Sequence, residues 1–84
     1  MAHVWSEIDP VAYMQAQIAR LYRERHGLTI EEFLELDREA DILGLIEIAY
    51  EPFHLMGDEG ILREIDGHCE ARLGRKAPRR PRIN

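Results

Sequence analysis

Four groups of side chains have types and spacings that could carry chemistry. Glu51 and His54 stand three residues apart, the arrangement in which a helix of a carboxylate-bridged di-metal bundle offers an oxygen and an imidazole to one ion. Such a centre needs a second pair and two further glutamates. One pair is present, with Pro52 inside it, so His54 reads as the anchor of a turn, bonded to backbone or to Tyr50. His68 beside Cys69 brings together the parts of a base and a nucleophile. Adjacent helical residues point about 100° apart and do not face each other, and Cys69 falls on an apolar stripe, so it reads as a small buried hydrophobe. Ser6 is the sole serine, and neither a phosphate-cradling glycine loop nor a zinc-ligand spacing occurs. The sequence therefore assigns no catalytic residue, no metal ligand and no cofactor.

The remaining two groups are charged surfaces. Glu31, Glu32, Glu35 and Glu39, joined by Asp37 and Asp41, form an acidic face. Its plain reading is a solvated helix surface; its sharper reading is a contact for a basic partner, where such charges supply on-rate and specificity. Arg75, Lys76, Arg79, Arg80 and Arg82 form a basic, proline-containing end. Residues 1–71 hold five basic and all 16 acidic side chains, a net −11, whereas residues 72–84 hold six basic and no acidic ones, a net +6. The overall charge of −5 thus averages an acidic body and a basic tail, a split that marks a separate interaction segment. The tail suits nucleic acid, an acidic protein, or simple solubility. Leu28 to Phe33 has the look of a helix-turn-helix entry, but DNA readers bring Lys and Arg to phosphate, and this stretch is acidic.

Elements that could position these groups are marked by their ends. Asp9-Pro10 opens a helix with Val11, Met14, Ile18, Leu21 and Tyr22 at helical spacing, and Gly27 closes it. Thr29 with Glu32 is a capping box, and Leu28 with Phe33 occupies staple positions. These predict a second helix over about 30–38, with Phe33 and Leu36 or Leu34 inward. From Asp41 a third, apolar segment runs through Ile42, Leu45, Ile46 and Ala49, the pattern of an element buried on most sides. Pro52 cannot donate to the carbonyl of Ile48, so this helix ends or kinks near Tyr50–Glu51; Phe53, Leu55 and Met56 then form an apolar turn closed by Gly57. Asp58 is the expected cap of a last helix with Ile61, Leu62, Ile65, Cys69 and Leu73 on its inner stripe, ended by Gly74. The reading is all-α: about four helices in one domain over 1–74 and a disordered basic tail over 75–84.

With 84 residues and one cysteine, the chain has room for one small core and no internal disulfide, which fits a reducing cytosol. No apolar run approaches the roughly 20 residues of a membrane span, and the N-terminus lacks the pattern of a secretion signal. The expectation is a cytoplasmic protein with no membrane association. A core this small is often completed by a second copy, here through the apolar third helix.

Three stretches resemble a small bacterial family of unknown function numbered 3791, over about residues 13–72. They are His26-Gly27-Leu28-Thr29-Ile30-Glu31-Glu32-Phe33, Tyr50-Glu51-Pro52-Phe53-His54-Leu55-Met56-Gly57, and Ile61-Leu62-Arg63-Glu64-Ile65-Asp66. Pro52 and Phe53, and also Gly67 and His68, depart from the usual family residues, and the basic tail lies outside the pattern. The resemblance implies a helical module of the kind often encoded beside proteins similar to ADP-ribosyltransferases, in a toxin–antitoxin-like arrangement. This chain would then be the small, antitoxin-like partner, without catalysis of its own. Tyr50, Glu51, His54 and Gly57 would be its motif positions, at an interface or in the fold. The resulting expectation is a non-enzymatic protein-binding module; the alternative is a small nucleic-acid-associated regulator acting through the tail.

Overall fold

A computed structural model describes residues 9–74 of the chain. The described residues form five α-helices and no strand: α1 (Pro10–His26), α2 (Ile30–Ala40), α3 (Ile42–Ile48), α4 (Tyr50–His54) and α5 (Asp58–Leu73). The basic residues Arg75, Lys76, Arg79, Arg80 and Arg82 lie outside the described residues.

The local signals act as the sequence predicts at the first three helix ends. Asp9 caps α1 by accepting from the Val11 N–H at 3.0 Å, with Pro10 in the first position. Gly27 closes the helix at φ 67°, and the Leu28 N–H reaches back to the Arg23 carbonyl at 2.9 Å, the bond that marks a Schellman ending. The capping box of α2 is complete in both directions: Glu32 N–H to Thr29 Oγ1 at 3.1 Å and Thr29 N–H to Glu32 Oε1 at 2.9 Å.

The α2–α3 junction adds a detail, and two expectations then change. Asp41 is a left-handed residue (φ 57°) that ends α2, but its side chain does not cap α3. That service comes from Asp37, whose Oδ1 accepts from the Leu43 N–H at 2.8 Å. The Asp41 carboxylate instead lies over Gly44, in the space that a Cβ at residue 44 would enter. Next, the expected turn over 50–57 contains a fourth short helix. Pro52 lacks an N–H and crowds the carbonyl four residues back, but is tolerated in a first helical turn, where amide donors have no helical partner anyway. The chain breaks at Ala49 (φ −96°, ψ 18°) and restarts at Tyr50, which puts Pro52 in the first turn of α4. Finally, Asp58 is not the cap of α5. Gly57 in extended conformation occupies that position, and Asp58 and Glu59 lie in the first turn, where carboxylates favourably meet the helix dipole.

The core gathers one stripe from each helix: Ile18 and Tyr22, Phe33 and Leu36, Ile42 and Ile46, Phe53, and Ile61, Ile65 and Cys69. α1 packs on α2, α3 and α5, and α5 also closes on α2 and α3. Leu36, not Leu34, faces inward on α2; Leu34 is 48% exposed. The short α3 is less enclosed than its composition predicts: Ile42 and Ile46 are fully buried, but Ile48 is 84% exposed. No helix among the described residues is long and apolar enough to cross a membrane.

Candidate functional site

The motif turn sits on α4 and its junction with α5. Phe53 points into the core, and because it is two residues from Glu51 and one from His54, those two side chains are turned outward and exposed. Tyr50 and His54, four apart on α4, stack with ring centroids 5.4 Å apart and planes 14° from parallel. The tie between His54 and Tyr50 that the sequence suggested is therefore a ring stack. Gly57 supplies the extended residue from which α5 departs. Beside this turn lies a cleft of about 190 Å³ between α1, α4 and α5, with Met14, Phe53, Met56 and Ile61 on its walls and Tyr13, His54 and Asp58 among its other lining residues. Tyr13 is 64% and Leu55 81% exposed. An aromatic and aliphatic rim with a few polar groups is suited to gripping a partner's side chain, since such residues provide contact area at low entropy cost.

The acidic residues of α2 divide into two sets. Glu31, Glu35 and Glu39 are exposed. Glu32 is half-buried and its carboxylate closes the capping box, so it belongs first to the helix end. Glu35 also meets Arg38 at 2.7 Å on the surface.

A second polar cluster, not anticipated from the sequence as a unit, joins α1 to α5. Asp66 Oδ1 accepts from the Tyr22 hydroxyl at 3.0 Å and from His26 Nε2 at 2.9 Å. Tyr22 is fully buried and His26 is 4% exposed; their rings lie 4.4 Å apart. Arg25 adds a two-pronged bond to Glu59, at 3.0 and 3.1 Å, and its Nε lies 3.5 Å from Asp66 Oδ2. That bond to Glu59 holds the guanidinium above and the Glu59 carboxyl below their ordinary values. The Tyr22 hydroxyl also approaches Cys69 Sγ at 3.7 Å. Loss of water on burial drives both the phenol and the thiol upward, and the Asp66 charge nearby adds to it. Cys69 is therefore a buried, protonated thiol, the opposite of an activated nucleophile. His68 takes a separate partner: its Nε2–H donates to the Ala40 carbonyl at 2.6 Å, satisfying one of the free carbonyls at the end of α2.

The chemistry of these groups is that of holding. Asp66 joins Tyr22 and His26 through one carboxylate oxygen, and among the described residues no group of three His, Cys, Asp or Glu side chains is placed to hold a metal ion. Two of the three stretches that carry the family resemblance meet in this cluster, since His26 opens the first and Asp66 ends the third. The sequence signal for it was faint: Tyr22 and His26 lie four apart on one helical face, with Asp66 three before the buried Cys69. In the other motif stretch Glu51 and His54 project outward.

These features define a small all-α domain with a polar seam inside and an aromatic turn outside. Residues 14–72 match the family model of DUF3791, a protein of unknown function, and the chain belongs to that family. No curated protein and no solved structure matches the chain.

Proposed function

We propose that the protein is a non-enzymatic protein-binding module that acts by covering a partner's surface. The observation that carries this is the motif turn: Tyr50 and His54 form a stacked pair, Glu51 and His54 are exposed, and the fold has no evident need of them. A groove edged by Tyr13 and His54 and floored by Met14 and Phe53 offers a partner an anchor pocket, and the exposed Glu31, Glu35 and Glu39 add a field that attracts a basic surface. In line with the arrangement the family resemblance implies, the partner is an ADP-ribosyltransferase-like protein encoded nearby, and the module is its antitoxin-like counterpart in the cytoplasm. Co-expression with the product of the neighbouring gene tests this. A complex is expected at micromolar concentrations, weakened about tenfold or more by Tyr50→Ala with His54→Ala. Absence of a complex between the folded proteins overturns the reading.

A second reading rests on the +6 charge of residues 72–84. A chain with that end binds duplex DNA with an affinity that falls steeply with salt. Deleting residues 75–84 should abolish such binding, and an intact chain that binds no DNA at low salt disposes of the idea.

A further inference from the structure

A second open surface lies on another flank of α1. A groove of about 280 Å³ runs between α1, α2 and α3, with Ala16 and Ala19 on one side, Ile30 and Leu34 on the other, and Leu43 reaching in from α3. The core requirement of α2 is already met by Phe33, Leu36 and Ala40, yet Ile30 remains 55% and Leu34 48% exposed. These two lie four residues apart, so they form one ridge along the helix. Ala16 and Ala19, three apart on α1, leave a recess of matching orientation, because small side chains let another helix approach closely. The surroundings are charged with both signs. Arg20 and Arg23 line the α1 side, while Glu31 and Glu35 stand exposed on α2 next to the ridge. Among the described residues Arg20 pairs with Glu24, at 3.1 Å and with both side chains more than half exposed, a pairing worth a few tenths of a kcal/mol and readily exchanged.

A patch that meets its own copy across a two-fold axis must carry projection and recess together, and both charges together. A partner of a single charge sign would need only one wall of this groove. We infer that the groove receives a second copy of this chain, with the Ile30–Leu34 ridge of each α2 laid into the Ala16–Ala19 recess of the other, and Arg20 of each copy facing Glu31 or Glu35 of its mate. The sequence pointed to self-association through α3, but Ile42 and Ile46 of that helix are fully buried in the core; Leu43 alone reaches this surface. The α1 residues of this groove centre on a different side of the helix from Met14 and Ile18 at the motif-turn cleft, while Tyr13 of that cleft adjoins Ala16 and Arg20 along the helix surface.

Sedimentation equilibrium of the full chain, from micromolar to millimolar, tests the inference. A monomer–dimer equilibrium is expected. Leu34→Glu should raise its dissociation constant at least tenfold, and so should Ala16→Arg, which blocks the recess from an exposed position. Arg20→Glu should weaken the dimer, and adding Glu31→Arg should restore it. Unchanged far-ultraviolet circular dichroism and thermal midpoint show that each variant still folds. A wild-type chain that is monomeric throughout, or a dimer indifferent to both Leu34→Glu and Ala16→Arg, overturns the inference. Either outcome leaves the partner complex of the motif turn to stand or fall on its own co-expression result.

Discussion

The α1–α5 seam and the α4 turn contain similar side chains used in opposite ways. Each has a tyrosine and a histidine four residues apart with their rings in contact, 4.4 Å in the seam and 5.4 Å in the turn. In the seam the pair is buried, and one carboxylate, Asp66, accepts from both. In the turn the pair lies at the surface, with His54 exposed. The seam pair stabilises because burial makes an unmatched polar atom expensive and Asp66 supplies the match. The turn pair contributes little to stability, because water is an adequate alternative partner. A residue pair of one composition thus holds a fold in one place and is left available for recognition in another.

The largest effect should come from removing the shared acceptor. Asp66→Ala leaves the Tyr22 hydroxyl and His26 without it, and should cost about 2–3 kcal/mol in urea unfolding. For a domain of this size, whose total stability is on the order of 5–10 kcal/mol, that is a substantial fraction. A loss below about 0.5 kcal/mol would break the comparison, since it would make the seam as dispensable as the turn.

Alkaline unfolding sharpens it next. Burial places the folded values of the Cys69 thiol and the Tyr22 phenol above their ordinary ones, so the folded chain keeps protons that the unfolded chain releases. Their stabilising contribution is complete below the ordinary cysteine value of about 8.5. It then declines as pH rises past that value and past about 10 for tyrosine, by up to about 1.4 kcal/mol per pH unit for each proton. Cys69→Ala should remove the earlier part of this decline, which unfolding midpoints between pH 8 and 10 would show. On the acid side the sign reverses: the Arg25 bond keeps Glu59 below its usual value, so its contribution is present above the ordinary carboxylate range and lost as pH falls.

Tyr22→Phe should cost about 1 kcal/mol, because it removes one donor and keeps the ring. Combined with Asp66→Ala, the losses should fall short of additive, and a double-mutant cycle measures the shortfall. The smallest effect belongs to the turn: His54→Ala should change stability by less than about 0.5 kcal/mol, while lowering the affinity of the proposed partner complex. A large stability loss would mean that the stack serves the fold after all.

How much of this was legible depended on the reach of each interaction. The motif turn was visible because Tyr50, Glu51, His54 and Gly57 form a short signature, and Pro52 announces a break in any helix that contains it. The break falls at Ala49, next to the Tyr50–Glu51 boundary that the proline implied, but the immediate restart of a helix was not visible. A proline excludes itself from a helix interior but is accepted in a first turn, so restarting the helix at Tyr50 solves the conflict as well as ending it near Glu51. The seam was hidden for another reason: His26 and Asp66 are 40 residues apart and Tyr22 and Asp66 are 44 apart. Each looks like an ordinary residue of its own helix until the two helices dock.

The sequence by itself determined the helix ends that depend on neighbours within about four residues: Asp9 with Pro10, Gly27 in its left-handed turn, and Thr29 with Glu32. Those interactions close within one helical turn and need no other part of the chain. The tertiary structure decided which polar groups would be buried together and which would remain outside. Leu36 rather than Leu34 enters the core, and His26 and Tyr22 meet Asp66 from across the domain. Those choices follow from how five helices share one small interior, where the position of each side chain is set by the packing of helices distant in the chain.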